Sequence, residues 1–300
     1  MPEADHEVAL VAGIKCYVYG LDKIDESRPV VLAIGLHPRS LDYKYVQTLA
    51  YEIVNGAKNV VVVAFDLPNH GSRQLDARAN NDWQVGNPTH AQDIASCIDL
   101  GAAEAEIIAK YLPGYFPLLD HKAANNDLVV VAFGASLGGH IAWRIAVGPS
   151  GPLGSGLFKG ILPIVGCPFV GDMLQKRFTA AGPDDTFPLS TLESLRVFEK
   201  TRLLKSFPGF RILALCGARD KLVPASYTEN WIADDANPHH QLVVDPEAGH
   251  FASDLLRDEM VKWFQEISLV NQRSTEIPLE EDGVQDAELC STQRPLEEDN

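Results

Sequence analysis

The sequence predicts an α/β fold: a mostly parallel central sheet, helices on both of its faces, and a small cap insertion above it. Three observations carry this reading. Short β-branched runs closed by turn residues recur along the chain. Most are apolar throughout and do not alternate, as suits strands buried on both faces. Segments with helical spacing fall between them.

The elements follow in order. Val8–Val11 and Ile14–Tyr19 flank Ala12-Gly13 and predict a hairpin. Val30–Leu36 and Val60–Phe65 are the next strands. Residues 66–90, DLPNHGSRQLDARANNDWQVGNPTH after the phenylalanine, are polar and rich in turn residues, too long for an ordinary loop. A helix then begins with Asn87 as cap and Pro88 in the first turn. Ile94, Ile98, Ala105, Ile108 and Leu112 follow at helical spacing. Leu128–Phe133 is a strand, and Leu137 opens a helix to about Val147. Gly160–Val165, Arg211–Cys216 and Gln241–Val244 complete the sheet. The last helix, Ala252–Val270, carries Leu255, Met260, Trp263, Phe264 and Ile267. Residues 167–209 interrupt the alternation and read as the cap. Its Phe169, Met173, Leu174, Phe178, Phe187, Leu192, Leu195 and Phe198 are candidates for an apolar pocket or for packing the cap onto the body.

The domain organisation is one domain over residues 1–270 and a disordered acidic tail over 271–300. The formal net charge of -16 concentrates partly in that tail, where Glu276, Glu280, Glu281, Asp282, Asp286, Glu288, Glu297, Glu298 and Asp299 face only Arg273 and Arg294. So acidic a surface argues against nucleic acid as a partner. No apolar stretch reaches the roughly 18 residues of a membrane span. The start, MPEADHEVAL, lacks a basic segment followed by an apolar run. Cys16, Cys97, Cys167, Cys216 and Cys290 are scattered without C-x-x-C spacing. These features place the protein in the cytoplasm, as a reduced chain. Oligomeric state is not legible.

The chemistry concentrates in LVVVAFGASLGG, residues 128–139. An apolar strand runs into Ser136 between small residues. This G-x-S-x-G turn lifts a serine hydroxyl above the sheet, with Gly134 and Gly138 keeping the crowded turn free of clashes. The Leu137 N–H, at a helix start, is then aimed at a developing oxyanion. Such a serine needs a base, and the base needs an orienting acid. On this topology they follow in the order acid, then histidine. Asp220 stands in GARDKLVP after one later strand, and His250 in DPEAGHF after another.

With these segments in place, the chain resembles the α/β-hydrolase family over roughly residues 8–270. GLHPRS resembles the family's oxyanion loop and FDLPNHGSR its D-x-x-x-H-G-x-S turn. FGASLGGH resembles the elbow, while RDKLVP and AGHF resemble the acid and base segments. NPTHAQD and PIVGCPF resemble segments of a subgroup of fungal and bacterial esterase-like hydrolases. The resemblance implies a serine hydrolase with catalytic Ser136, Asp220 and His250, acting on a small-molecule ester or thioester without metal or organic cofactor. It also implies Arg39 as second oxyanion donor. The family's usual His-Gly is here His37-Pro38, and proline has no N–H, so the donor passes to the next residue. The alternatives are acyl transfer, C–C cleavage or biosynthetic product release by the same triad, and a non-catalytic binding protein on the same fold.

Other residues invite comparison. His37 and His70 stand near strand ends, as loop braces or, for His37, in contact with substrate; no clustered spacing supports a metal. His140 lies one turn into the elbow helix, a structural position, and His239-His240 precedes a strand. Arg39 and Arg73 are candidates for an anionic substrate or for pairing with an acid, Asp42 being close to Arg39 in sequence. Trp83 and Phe169 are candidates to line the substrate pocket.

Overall fold

A computed structural model describes residues 6–182, 187–233 and 235–274. Its eight-stranded sheet comprises β1 His6–Val11, β2 Ile14–Tyr19, β3 Val30–Leu36, β4 Val60–Phe65, β5 Leu128–Ala135, β6 Phe158–Ile164, β7 Arg211–Gly217 and β8 His240–Asp245. The spatial order is β1-β2-β4-β3-β5-β6-β7-β8. β1 pairs antiparallel with β2 and β2 with β4; all other pairs are parallel. The strands match the sequence reading to within two residues at either end, with β5 running on to Ala135.

The helices are α1 Tyr43–Gly56, α2 His90–Tyr111, α3 Pro117–Ala124, α4 Leu137–Val147, α5 Val170–Ala181, α6 Leu189–Leu195, α7 Ser226–Ile232 and α8 Asp254–Ser274. Alternate residues of the continuous apolar strands feed two cores. Val31, Ala33, Val131 and Phe133 face α1 and α8, through Ile53, Met260 and Phe264. Val30, Leu32, Val130 and Ala132 face α2 and α4, through Ile98, Ile108 and Trp143. Helices thus cover both faces. Full burial of each large apolar side chain contributes roughly 1.5–3 kcal/mol.

Several helices differ from the sequence reading. Helix α2 starts at His90 with Thr89 in the cap position, two residues later than Asn87. The Asn87 carboxamide instead accepts from the Thr89 N–H and hydroxyl, a local turn that completes the entry to the helix. α1 carries no expected counterpart in the sequence reading; its cap is Asp42, which accepts from Lys44 N at 3.0 Å. α8 continues through residues 271–274, so the expected tail boundary at 270 moves outward. The rest of that tail lies outside the described residues.

The insertion between β6 and β7 holds α5, α6 and an irregular 3-10 stretch, Arg196–Ser206. The 66–89 excursion is built from three short 3-10 turns. Asp66, at the end of β4, organises its start. Its carboxylate accepts from Tyr43 N, Ser72 N and Ser72 Oγ at 2.9, 2.8 and 2.6 Å. Gly71 has φ +51°, and a Cβ there would sit 2.3 Å from Asp66 Oδ1, so only glycine fits this turn.

Parallel pairing aligns the carboxyl ends of the strands. Leu36 stands beside Gly134, Ala135 beside Ile164, Ile164 beside Leu215, and Gly217 beside Asp245. The segments after β3, β5, β7 and β8 therefore emerge along one edge of the sheet, where open α/β sheets place their ligands.

Candidate active site

Ser136 lies between β5 and α4 with φ 54° and ψ -111°, a backbone conformation L-residues avoid. The neighbours hold it there. Ser136 N donates to Ile164 O at 2.8 Å. A Cβ on Gly138 would stand 2.0 Å from Leu36 O, and one on Gly134 2.6 Å from the same atom. β3 thus presses directly against the turn, and both glycines are sterically required.

Asp220 and His250 reach this turn from β7 and β8. His250 Nε2 is 2.7 Å from Ser136 Oγ, and His250 Nδ1 is 2.7 Å from Asp220 Oδ2. Asp220 is buried, and its other oxygen accepts from Leu222 N and Val223 N, each at 2.8 Å. With Nδ1–H donating to the carboxylate, Nε2 has its lone pair free to accept from the Ser136 hydroxyl. His250 keeps a quarter of its side chain exposed, so the imidazole faces the cleft. The serine can therefore pass a proton to the ring as it attacks an electrophile, and the carboxylate can hold the resulting imidazolium.

The two loops that carry Asp220 and His250 are joined to each other. Ala218 N donates to Asp245 O and Arg219 N to Ala248 O, both at 2.9 Å. Asp245 accepts from Glu247 N at 2.9 Å and from the Ser253 hydroxyl, closing the loop around His250. The tight position is Gly217, where a Cβ would meet Gly249 O at 2.3 Å.

His37 is fully buried, and both its nitrogens are used within the protein. Nε2 accepts from Leu67 N at 2.9 Å and Nδ1 donates to Pro38 O at 2.8 Å. This corrects the expectation that His37 contacts substrate: it has no polar atom to offer. Its contact to Pro38 O has another effect. Across a trans peptide the Arg39 N–H points opposite to that carbonyl, so the imidazole fixes the direction of the Arg39 donor. Among the described residues neither the Arg39 N–H nor the Leu137 N–H has a protein acceptor.

Trp83 is half-buried, edge-on to His90 at 4.5 Å and to Phe178 at 5.4 Å, and so ties the excursion to α5. Phe169 is half-buried against the core at the start of α5. Arg73 pairs with Glu104 through both guanidinium nitrogens, at 2.8 and 2.5 Å, and is a structural cation. Arg39 does not pair with Asp42, which caps α1; its Nη1 donates to Asn80 O at 2.8 Å.

His140 Nδ1 accepts from Cys167 N at 3.2 Å, and burial drives its pKa down to about 4. His70 and His90 donate from Nδ1 to Pro68 O and Asn81 O; burial lowers both, His90 to about 4. His37 is likewise lowered to about 4 by burial. All four rings are neutral at physiological pH. Burial raises the thiols of Cys16, Cys97 and Cys167, and that of Cys216 to about 11, so these free cysteines act as apolar side chains. Among the described residues no cluster of three His, Cys, Asp or Glu stands at metal-binding distance, and no helix is long and apolar enough to cross a membrane.

Arg177, on α5, escaped the sequence reading. It lies in the insertion, where no motif marks it.

Comparison with known proteins agrees with the architecture. The sequence matches the pattern described as the alpha/beta hydrolase family over residues 30–263. No curated protein matches it. Among solved structures, TT1662 of Thermus thermophilus is similar at 18% identity with a TM-score of 0.61, covering 88% of this chain and 98% of that one. A 2,6-dihydroxy-pseudo-oxynicotine hydrolase is similar at 17% identity and 0.53, covering 90% and 70%. Est1E of Butyrivibrio proteoclasticus, in a structure with ferulic acid bound, is similar at 14% identity and 0.52, covering 89% and 99%. At such identities the likeness shows the shared fold.

Proposed function

The chain belongs to the alpha/beta hydrolase family, and from that premise we propose that it is a serine hydrolase cleaving a carboxylic ester or thioester of a small molecule. The observation that carries the reading is the hydrogen-bonded series Ser136–His250–Asp220, with 2.7 Å at each link.

In the proposed reaction Ser136 Oγ attacks the carbonyl carbon while His250 Nε2 takes the hydroxyl proton. Asp220 keeps the ring in the required tautomer and offsets its charge. The negative oxygen is held by the Leu137 N–H, at the positive end of α4, and by the Arg39 N–H directed through His37. His250 then gives the proton to the departing alkoxide or thiolate. A water molecule, deprotonated by His250, attacks the acyl-serine, and the free acid leaves. Every step uses groups of the chain and water.

The test is hydrolysis of p-nitrophenyl acyl esters, from acetate to laurate, by wild type and Ser136→Ala. Removing the nucleophile should lower turnover by about 10⁴-fold or more without unfolding the protein. A neutral fluorophosphonate should label wild type at Ser136 and leave the variant unlabelled. A Ser136→Ala protein as active as wild type would sink the proposal.

A further inference from the structure

The segment that carries His250 has little of its own to hold it. Residues 246–252 form neither helix nor strand. Among the described residues no backbone hydrogen bond reaches Gly249, His250 or Phe251. A Cβ on Gly249 would meet only the Phe251 ring, at 3.7 Å, so crowding does not fix that peptide either. The imidazole nevertheless stands 2.7 Å from Ser136 Oγ and 2.7 Å from Asp220 Oδ2 at once. Hydrogen bonds at the ring orient it. The place of its backbone must be set by the ends of the segment.

Those ends are joined by Asp245, the last residue of β8, and Ser253, the residue before α8. One carboxylate oxygen of Asp245 accepts from Glu247 N at 2.9 Å, and the other accepts from the Ser253 hydroxyl. Ser253 Oγ in turn accepts from Leu256 N at 3.4 Å, and Ser253 O from Arg257 N at 2.9 Å. The hydroxyl that closes the segment is thus also the cap of α8. Asp245 reaches the Asp220 loop as well, since its carbonyl accepts from Ala218 N at 2.9 Å. Asp245 is buried, and the Ser253 hydroxyl, foremost among its contacts, holds its carboxyl below the ordinary carboxylate range. It is therefore ionised at neutral pH, and an ionised acceptor makes shorter and stronger hydrogen bonds than a neutral one. The side-chain link between the two loops, Arg219 with Glu247, is mostly exposed and contributes little.

We propose that Asp245 and Ser253 are positioning residues for the reaction: their hydrogen bond clamps the segment between them and keeps His250 at the distance from Ser136 that proton transfer needs. The inference rests on the hydrolase reading and adds to it a pair that acts only through His250. A displacement of about 1 Å at such a group can cost about 10²-fold in rate.

The test separates a clamp from a helix cap. Aspartate caps a helix as well as serine does. Ser253→Asp therefore keeps α8 but, at about pH 8, sets a second carboxylate against Asp245 and opens the clamp. Ser253→Thr retains the hydroxyl. In p-nitrophenyl butyrate hydrolysis Ser253→Asp should lower kcat by about 10- to 100-fold with KM within about twofold of wild type, while Ser253→Thr should stay within about threefold in kcat. Asp245→Ala should also lower kcat, and adding Ser253→Ala to it should cost no more, as for two groups that act as one. Urea unfolding beside each assay gives the folded fraction, and kcat is taken per folded chain. A Ser253→Asp enzyme with wild-type kcat, or losses that multiply in the double variant, overturns the proposal. Fluorophosphonate labelling of wild-type Ser136 tests the hydrolase reading by itself, so a labelled wild type with unaffected variants removes only the clamp. Were wild type inert to ester and probe, the downfield proton resonance of the Nδ1–H that His250 shares with Asp220 still reports where the ring stands. Its presence in wild type and loss in Ser253→Asp would support the clamp. Its persistence in the variant, or its absence from wild type, would overturn it.

Discussion

At the scale of single residues, the site depends on atoms that no longer have freedom to move. Ser136 is held at φ 54° by a backbone bond to Ile164 O and by Leu36 pressing on two glycines. Asp220 spends one oxygen on two backbone N–H groups and the other on His250. An asparagine keeps that shape but can present an N–H to Nδ1, which turns the ring to the wrong tautomer. Asp220→Asn should therefore fold normally and lose about 10⁴-fold in kcat, read from ester hydrolysis beside a thermal melt. An undiminished kcat would show that Asp220 does not orient His250. These residues were legible beforehand because each sits in a short motif just past an apolar strand. Arg39 was legible as a backbone donor implied by the resemblance, and its side chain as a candidate for an anionic substrate or for pairing with Asp42. The partner its side chain takes was not, since Asn80 is remote in sequence.

At the scale of elements, the strand ends and their loops act as paired units. β7 and β8 bring Asp220 and His250 together because Ala218 and Arg219 are bonded to the β8 loop and Gly217 is packed beneath Gly249 O. The space constraint falls on Gly217, since a Cβ on Gly249 would meet only ordinary contacts with Phe251. Gly217→Ala should push the two loops apart, costing about 1–3 kcal/mol of stability and a larger share of activity than of fold. Urea unfolding alongside kcat/KM checks this; unchanged activity would mean that the loops are not coupled. The helices show a similar division. α4 was readable from its motif, and α8 from its apolar stripe. α1 was not singled out, although its cap, Asp42, and its anchor to Asp66 are both polar signals once the turn after β4 is seen. The start of α2 shifted because Asn87 found a closer partner in Thr89 than in the helix.

At the scale of the whole molecule, burial of histidine makes stability depend on pH. His37, His90 and His140 have folded pKa values of about 4, against an ordinary 6.5. Above pH 6.5 the rings are neutral in folded and unfolded chains alike, and they contribute no pH dependence. As pH falls below 6.5 the unfolded chain takes up protons that the folded chain refuses, so stability declines until about pH 4. His70 is lowered in the same direction. The urea midpoint should be flat above pH 7 and should fall between pH 6.5 and 4, with an uptake approaching three protons per chain. A midpoint unchanged from pH 7 to pH 5 would contradict the burial of these rings.

The sequence by itself determined the sheet, since continuous β-branched runs have only one good place, inside a two-faced parallel sheet. It also located the serine turn and the Asp220 and His250 loops, because each lies within a few residues of a strand end. Tertiary structure decided what depends on distant parts meeting. It assigned His37 to fixing the Arg39 peptide and Arg73 to Glu104, and it joined Trp83 to Phe178. Local pattern records which backbone a segment will adopt; the partners of a long charged or aromatic side chain are set only when the excursion and the cap close over the same edge of the sheet.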